Sequence, residues 1–249
     1  MRQEAYFCTV KELDELGKNN IPRQLISHTH LIYSSPATLA FNSPGAEGFG
    51  VKRAGLAVPD SVMLIVSPGC CGRNTSVLSS MRAYQDRFYY LLMDETDIVT
   101  GRHLKKIPKA VAEICEGLKK KPSVVMICIT CVDALLGTDM ERVCHKAEEY
   151  AGVPVRPCYM YALTREGRKP PMVHVRQSVY SLLEPKKKKG NVVNLLGYFS
   201  PLTDDCELYD LLHGAGVKTI HEISRCKDYA QYQTMSEANF NLVLHPEAR

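Results

Sequence analysis

Two adjacent cysteines, Cys70 and Cys71, sit between glycines in SPGCCGRNTS (67–76), directly after the apolar run SVMLIVS (61–67). A second pair, Cys128 and Cys131, forms a C-x-x-C at the end of another apolar run, PSVVMICITC (122–131). Neighbouring cysteines resist bonding to each other, because disulfide geometry needs Cα atoms farther apart than adjacent residues comfortably allow. A thiol at the end of a strand instead sits where open α/β sheets bind ligands, the carboxyl ends of strands. Side chains two apart on a strand share a face and those three apart do not. Cys128 therefore points into the sheet packing and Cys131 falls in the loop beyond; by the same logic one of Cys70 and Cys71 faces inward and the other faces the crevice.

Four chemistries compete for these thiols. A thioredoxin-like redox pair would carry its C-x-x-C outside the strand, at a helix N-terminus, whereas Cys128 is still inside the apolar run. A four-cysteine zinc site needs two C-x-x-C knuckles, and this chain pairs one CC with one CxxC. Core cysteines acting as small hydrophobes are a third reading. Ligation of an iron–sulfur cluster by soft thiolates at a crevice is the fourth and the one preferred. Ten cysteines spread over 249 residues lack the density of a disulfide-stapled secreted domain, so reduced thiols are expected. Cys115, Cys144 and Cys206 are read as core residues in helical patterns.

The elements that position these thiols follow from hydrophobic periodicity. SVMLIVS and PSVVMICITC read as strands buried on both faces, as parallel strands are, and as neighbours with thiols at their carboxyl ends. LKKIPKAVAEICEGLKKK (104–121) repeats Ile107, Val111, Ile114, Cys115 and Leu118 at helical spacing. GTDMERVCHKAEEYAGVPVRPC reads as a helix capped by Thr138 or Asp139, stopped by Gly152 and followed by a strand. LTREGRKPPMVHVRQSVYSLLEP shows no clear period. KKKKG reads as an exposed linker, after which NVVNLLGYFSP (191–201), DDCELYDLLHGAGVKTIHEI and ANFNLVLHPEAR supply strand, helix, strand and strand. This alternation predicts an α/β fold: Rossmann-like, three-layer parallel sheets with flanking helices, the second domain incomplete. The expected divisions are an N-terminal extension over 1–35, a first Rossmann-like cluster-binding domain over 36–184, a lysine-rich linker over 185–190, and the start of a second Rossmann-like domain over 191–249.

Composition excludes several classes. A net charge of +4 is too small to argue for nucleic acid. No run of eighteen apolar residues exists, so no transmembrane helix is expected. The charged N-terminus is unlike a signal peptide, and the expected location is cytoplasmic. AEGFGVKRAG (46–55) lacks the Walker pattern. His28 and His30 would share a face in an extended segment, with no third ligand beside them. No H-E-x-x-H or G-x-S-x-G is present. Arg102, in GRHLKK (101–106), reads as a solvated helix start, and Tyr84, Tyr89, Tyr90, Tyr159 and Tyr161 as packing or interface residues.

From about residue 36 onward the chain resembles component 1 of nitrogenase and its relatives. The matching stretches run in the family's order: SPGAEGFGVKRAGLAVPDSVMLIVSPGCCG, DETDIVTGRHLKKIPKAVAEI, ITCVDALLGTDMERV, GVPVRPC and NVVNLLGYFSPLTDDCELYDLLHGAGVKTI. The resemblance implies that Cys71, or in second place Cys70, matches the family cysteine after the first strand, and that Cys131 matches the cysteine of the second loop. Cys128 is the remaining candidate. In the family such thiolates hold an iron–sulfur cluster between two component 1 subunits, and an ATP-dependent [4Fe-4S] reductase protein supplies its electrons.

Two departures shape the expectation. Family members with three cysteines per subunit carry the first near the position of Ser43–Gly45, but this chain has none between Cys8 and Cys70. Two ligands per chain suit one [4Fe-4S] cluster shared across a dimer, homodimeric or with a paralogous subunit. The family's third domain and most of its second have no counterpart in this sequence, so N2 reduction is not expected. The implied function is a nitrogenase-like, iron–sulfur oxidoreductase subunit that passes low-potential electrons to an unidentified small-molecule substrate. A scaffold that assembles or carries a metallocluster is the alternative, and a degenerate member with only core cysteines is the third possibility.

Overall fold

Alternation of buried residues to two faces builds the first sheet. The computed structural model describes residues 9–17, 19–20, 22, 50–69, 79–129, 136–159, 171–245 and 248. Strands β1 (Val62–Ser67), β2 (Phe88–Leu92), β3 (Val125–Ile129) and β4 (Val155–Tyr159) lie in the order β2-β1-β3-β4, every pair parallel. Val62, Leu64, Val66, Val125, Ile127, Ile129 and Val155 face one core, while Met63, Ile65, Met126, Cys128 and Cys158 face the other. Such burial on both faces is what helical cover of a parallel sheet produces.

In chain order the helices are α1 (Val10–Leu16), α2 (Gly50–Gly55), α3 (Glu95–Thr100), α4 (His103–Gly117), α5 (Met140–Ala151), α6 (Pro171–Tyr180), α7 (Glu207–Gly214) and α8 (Tyr229–Gln233). Helices α4 and α5 pack against each other over the first core, through Ile107, Val111, Cys144 and Ala147. Helices α2 and α6 cover the other face. Asp139 caps α5 by accepting from the Arg142 N–H at 3.1 Å, and Gly152 ends it in the left-handed region. Of the two caps the sequence offered, Asp139 is the one used.

A second parallel sheet has the order β6-β5-β7, from β5 (Lys189–Leu196), β6 (Thr219–His221) and β7 (Ala238–Val243). Strand β5 opens at Lys189, inside the lysine run, and the Lys189 ammonium pairs with Glu237 at the head of β7. Asn194, buried mid-strand, donates to the Met235 carbonyl at 2.9 Å and to Asn241 Oδ1 at 2.8 Å. The two sheets share a core: Ile223, Tyr232 and Met235 join Val175, Val179 and Leu182. Tyr232 donates its hydroxyl to the Val179 carbonyl, and Gln233 Nε2 donates to the Leu182 carbonyl at 2.8 Å.

The chain forms two compact units, Met1–Ala40 and Phe41–Arg249. In the first, α1 is held by a reciprocal cap: the Glu12 N–H donates to Thr9 Oγ1 at 3.2 Å, and the Thr9 N–H donates to Glu12 at 2.7 Å. No helix among the described residues is long and apolar enough to cross a membrane.

Candidate functional site

Strands β1 and β3 are hydrogen-bonded neighbours, with Val66 beside Ile129 at their carboxyl ends. The chain therefore leaves both strands at the same edge of the sheet. Three residues past Ser67 comes Cys70, then Cys71; two past Ile129 comes Cys131. Cys70, Cys71 and Cys131 themselves lie outside the described residues, as do His28, His30 and Tyr161. In sequence β2 intervenes between β1 and β3, yet it occupies the far side of β1 and leaves the carboxyl ends of β1 and β3 adjacent.

Cys128 is fully buried in β3, in register with Cys158 of β4. The Cys158 thiol, also at zero exposure, lies 3.4 Å from the Val51 carbonyl. Its pKa is held above the ordinary thiol value, first by the hydrogen bond with Cys128 and then by burial. Burial also pushes the Cys144 thiol up in the α4–α5 core, and Cys115 to a lesser degree. Both behave as small hydrophobes. Cys206 precedes α7 as its N-cap residue, outside the helical pattern that contains its neighbours, and is half-buried. Among the described residues no group of three or more His, Cys, Asp or Glu side chains is placed to hold a metal ion.

Around the strand ends, one described polar atom has no partner. Ser67 Oγ, at the end of β1 and at zero exposure, makes no hydrogen bond. Buried hydroxyls are normally bonded, so this donor sits three residues before Cys70 with its proton unused. Past it, Gly69 faces open space: a Cβ there would meet nothing within 4 Å.

The neighbouring corner is organised around Asp97. Asp94 caps α3 by accepting from the Asp97 N–H at 2.6 Å. Asp97 is 1% exposed; its Oδ2 accepts from Lys106 Nζ at 2.6 Å and its Oδ1 lies 3.5 Å from Arg102 Nε. The Lys106 hydrogen bond, more than the other influences, holds this carboxyl below the usual Asp range against the opposing effect of burial. The Asp97 carbonyl meets His103 Nδ1 at 3.0 Å, and Gly101 turns between the helices at φ 65°. Arg102 is over half exposed and spends its charge on Asp97, as a solvated helix start would.

Sequence reasoning missed a second concavity on the other side of the first sheet. Arg53, Tyr84, Met172, Arg176, Tyr198 and His245 line a crevice of about 330 Å³ beside the carboxyl end of β5. No motif marks it, because its residues are spread from α2 to the end of the chain.

Comparison with known proteins agrees with this architecture. The family model described as "Nitrogenase component 1 type Oxidoreductase" matches residues 47–249. Curated relatives include the nitrogenase iron-molybdenum cofactor biosynthesis protein NifE of Klebsiella pneumoniae, 26% identical over 222 residues, covering 81% of this chain and 48% of the relative. NifE of Rhizobium meliloti is 28% identical over 176 residues, covering 68% and 37%. The chain thus spans less than half the length of these relatives. Among solved structures, nitrogenase Cp1 at pH 5 matches with a TM-score of 0.54 at 22% identity, over 79% of this chain and 43% of that one. With most of its length matched by the family model and its parallel sheets shared with solved members, the chain belongs to the nitrogenase component 1 type oxidoreductase family.

Proposed function

We propose that this chain is a nitrogenase-like subunit that holds an iron–sulfur cluster as a scaffold for metallocluster assembly or carriage. The adjacency of the β1 and β3 carboxyl ends supports this reading, since each runs directly into cysteine. The relatives' names, cofactor biosynthesis proteins, favour the scaffold role over substrate turnover. Cys71 and Cys131 would be the ligands, with Cys70 as the alternative beside Cys71. Cys128 is the least suited of the four, because its thiol is enclosed with Cys158 in the core.

The described surroundings fit such a group. Ser67 Oγ is a buried donor without a partner at the site's edge, and a hydrogen bond to a cluster sulfur is one way a protein tunes potential. The cluster would supply electron storage; the chain's part is to hold it, donate hydrogen bonds and exclude water. A two-fold dimer, with itself or with a paralogous subunit, would supply four thiolates to one [4Fe-4S] cluster, because closed two-fold assemblies are the commonest. The family description as an oxidoreductase favours a second reading. In it the same cluster accepts low-potential electrons from an ATP-dependent iron–sulfur reductase and passes them to a bound small molecule.

Iron and acid-labile sulfide are measured, with the visible spectrum, on anaerobically reconstituted full chain. The expected result is about two irons per chain, a brown chromophore, and loss of both in Cys71→Ala and Cys131→Ala. A colourless parent would overturn both readings. Transfer of the cluster to an apo acceptor without reduction chemistry supports the scaffold. Bleaching driven by an ATP-dependent reductase supports the electron-accepting subunit.

A further inference from the structure

The crevice at the carboxyl end of β5 is built from both sheet layers. Arg53 comes from α2, Tyr84 from the turn before β2, Met172 and Arg176 from α6, Tyr198 and Phe199 from the loop after β5, and His245 from the segment after β7. Its volume of about 330 Å³ lies at the small end of ligand pockets. Its lining among the described residues contains two arginines and one histidine, and no aspartate or glutamate.

The two guanidiniums differ in what they are committed to. Arg176 is 5% exposed; it donates to the carbonyls of Gly197 and Met172 and lies 5.0 Å from the Phe199 ring centroid. Its bonds tie α6 to the end of β5, so it contributes charge and shape. Arg53 is half-buried and makes one bond among the described residues: its Nε donates to Tyr84 Oη at 3.2 Å. That bond fixes the plane of the guanidinium and leaves both terminal nitrogens for another acceptor. A guanidinium fork matches a carboxylate with two parallel hydrogen bonds. The walls are aromatic: Tyr84, Phe199, and Tyr198, whose ring meets His245 edge-on at 5.7 Å.

We propose that this crevice binds a small planar organic carboxylate, its charged end on Arg53 and its flat body between Tyr84, Tyr198 and Phe199. No cysteine is among the described lining residues, and the proposal stands whether or not the chain holds a cluster.

The test uses the full chain without added iron and follows binding of 4-hydroxybenzoate by calorimetry. Its neutral counterpart 4-hydroxybenzamide and inorganic phosphate serve as the other probes. The carboxylate is expected to bind one per chain and about tenfold or more tighter than the amide, the worth of one charge-assisted pair. Arg53→Gln should bring the acid down to the amide's level, with the thermal unfolding midpoint checking that the variant is folded. Arg53→Lys, which keeps the charge and loses the fork, should fall between. Tyr84→Phe, which frees the guanidinium, should also weaken the acid. Absence of binding at millimolar acid would overturn the proposal, as would equal binding of acid and amide in the parent. Phosphate binding as tightly as the acid, with the same dependence on Arg53, would reassign the crevice to inorganic oxyanions.

Discussion

Arg176 reaches from α6 to the end of β5 and grips the Gly197 carbonyl with two nitrogens, Nη2 at 2.6 Å and Nε at 3.3 Å. The fork lands on the backbone carbonyl, while the position itself admits no side chain. Its φ is 126°, and a Cβ would stand 2.7 Å from His245 Cβ and 2.8 Å from His245 N. One residue thus joins α6, β5 and the segment after β7.

Gly197→Ala should therefore destabilise the protein by about 1–3 kcal/mol, from a backbone conformation costly to any other residue and from the clash with His245. A lower urea midpoint with an unchanged slope is the expected reading. A midpoint equal to the parent's would mean that the His245 segment moves away freely.

The Asp97 corner predicts an acid limb of stability. Its carboxyl is depressed in the folded state, chiefly by the Lys106 hydrogen bond. The stabilisation is therefore present above the unfolded value of about 3.9 and is lost as pH falls through the lower folded value. Urea midpoints measured downward from pH 5 should fall more steeply for the parent than for Asp97→Asn. Parallel curves would refute the assignment.

Tyr232→Phe removes the hydroxyl that donates to the Val179 carbonyl between the two sheets. That carbonyl also receives the Leu182 N–H at 3.4 Å, so it is not wholly orphaned. The cost should be about 1 kcal/mol, the low end for a buried bond, read from chemical unfolding.

Thiol labelling should separate core cysteines from exposed chemistry. Cys128, Cys144 and Cys158 are buried; the Cys158 thiol is raised by its hydrogen bond with Cys128 and then by burial, and the Cys144 thiol by burial, which suppresses the reactive thiolate. Iodoacetamide on native, iron-free protein at pH 8 should leave these three unmodified by mass spectrometry and label them fully in urea. Rapid native labelling of Cys158 would mean that the α2 cover opens readily.

Removing the cap of α5 should cost about 1 kcal/mol, since Asp139→Ala leaves the Arg142 N–H without its acceptor. A loss confined to stability, with the iron content of reconstituted protein unchanged, would place Asp139 outside the residues that support the proposed cluster.

Much of the fold was legible in the sequence because its elements are doubly buried or strongly one-faced. Strands β1 and β3 are unbroken apolar runs, and α4 shows its stripe through Ile107 and Val111. Strand β2 escaped notice: it is a sheet-edge strand, with Tyr90 at 42% and Leu92 at 60% exposure, so it never forms a buried run. Helix α6 was obscure for the opposite reason. It packs on α2 and β4 and also touches the second sheet's core, so its apolar residues mark no single stripe. The lysine run read as linker because its residues are exposed, although Lys189 and Gly190 already belong to β5.

For the site, the residue types were readable, and so was the adjacency of the two strands that run into cysteine, which the pairing of β1 with β3 bears out. Cysteine directly after an apolar run is a local pattern, and Cys128 pointing into the packing follows from strand alternation alone. That β2 joins the sheet on the far side of β1, outside this pair, was decided by strand order, a long-range choice that no local period encodes. The crevice depends still more on tertiary structure. Arg53 and Tyr84 are thirty-one positions apart, and Arg176 and Gly197 twenty-one. Only the packing of two sheets against α6 brings their charges and rings to one wall.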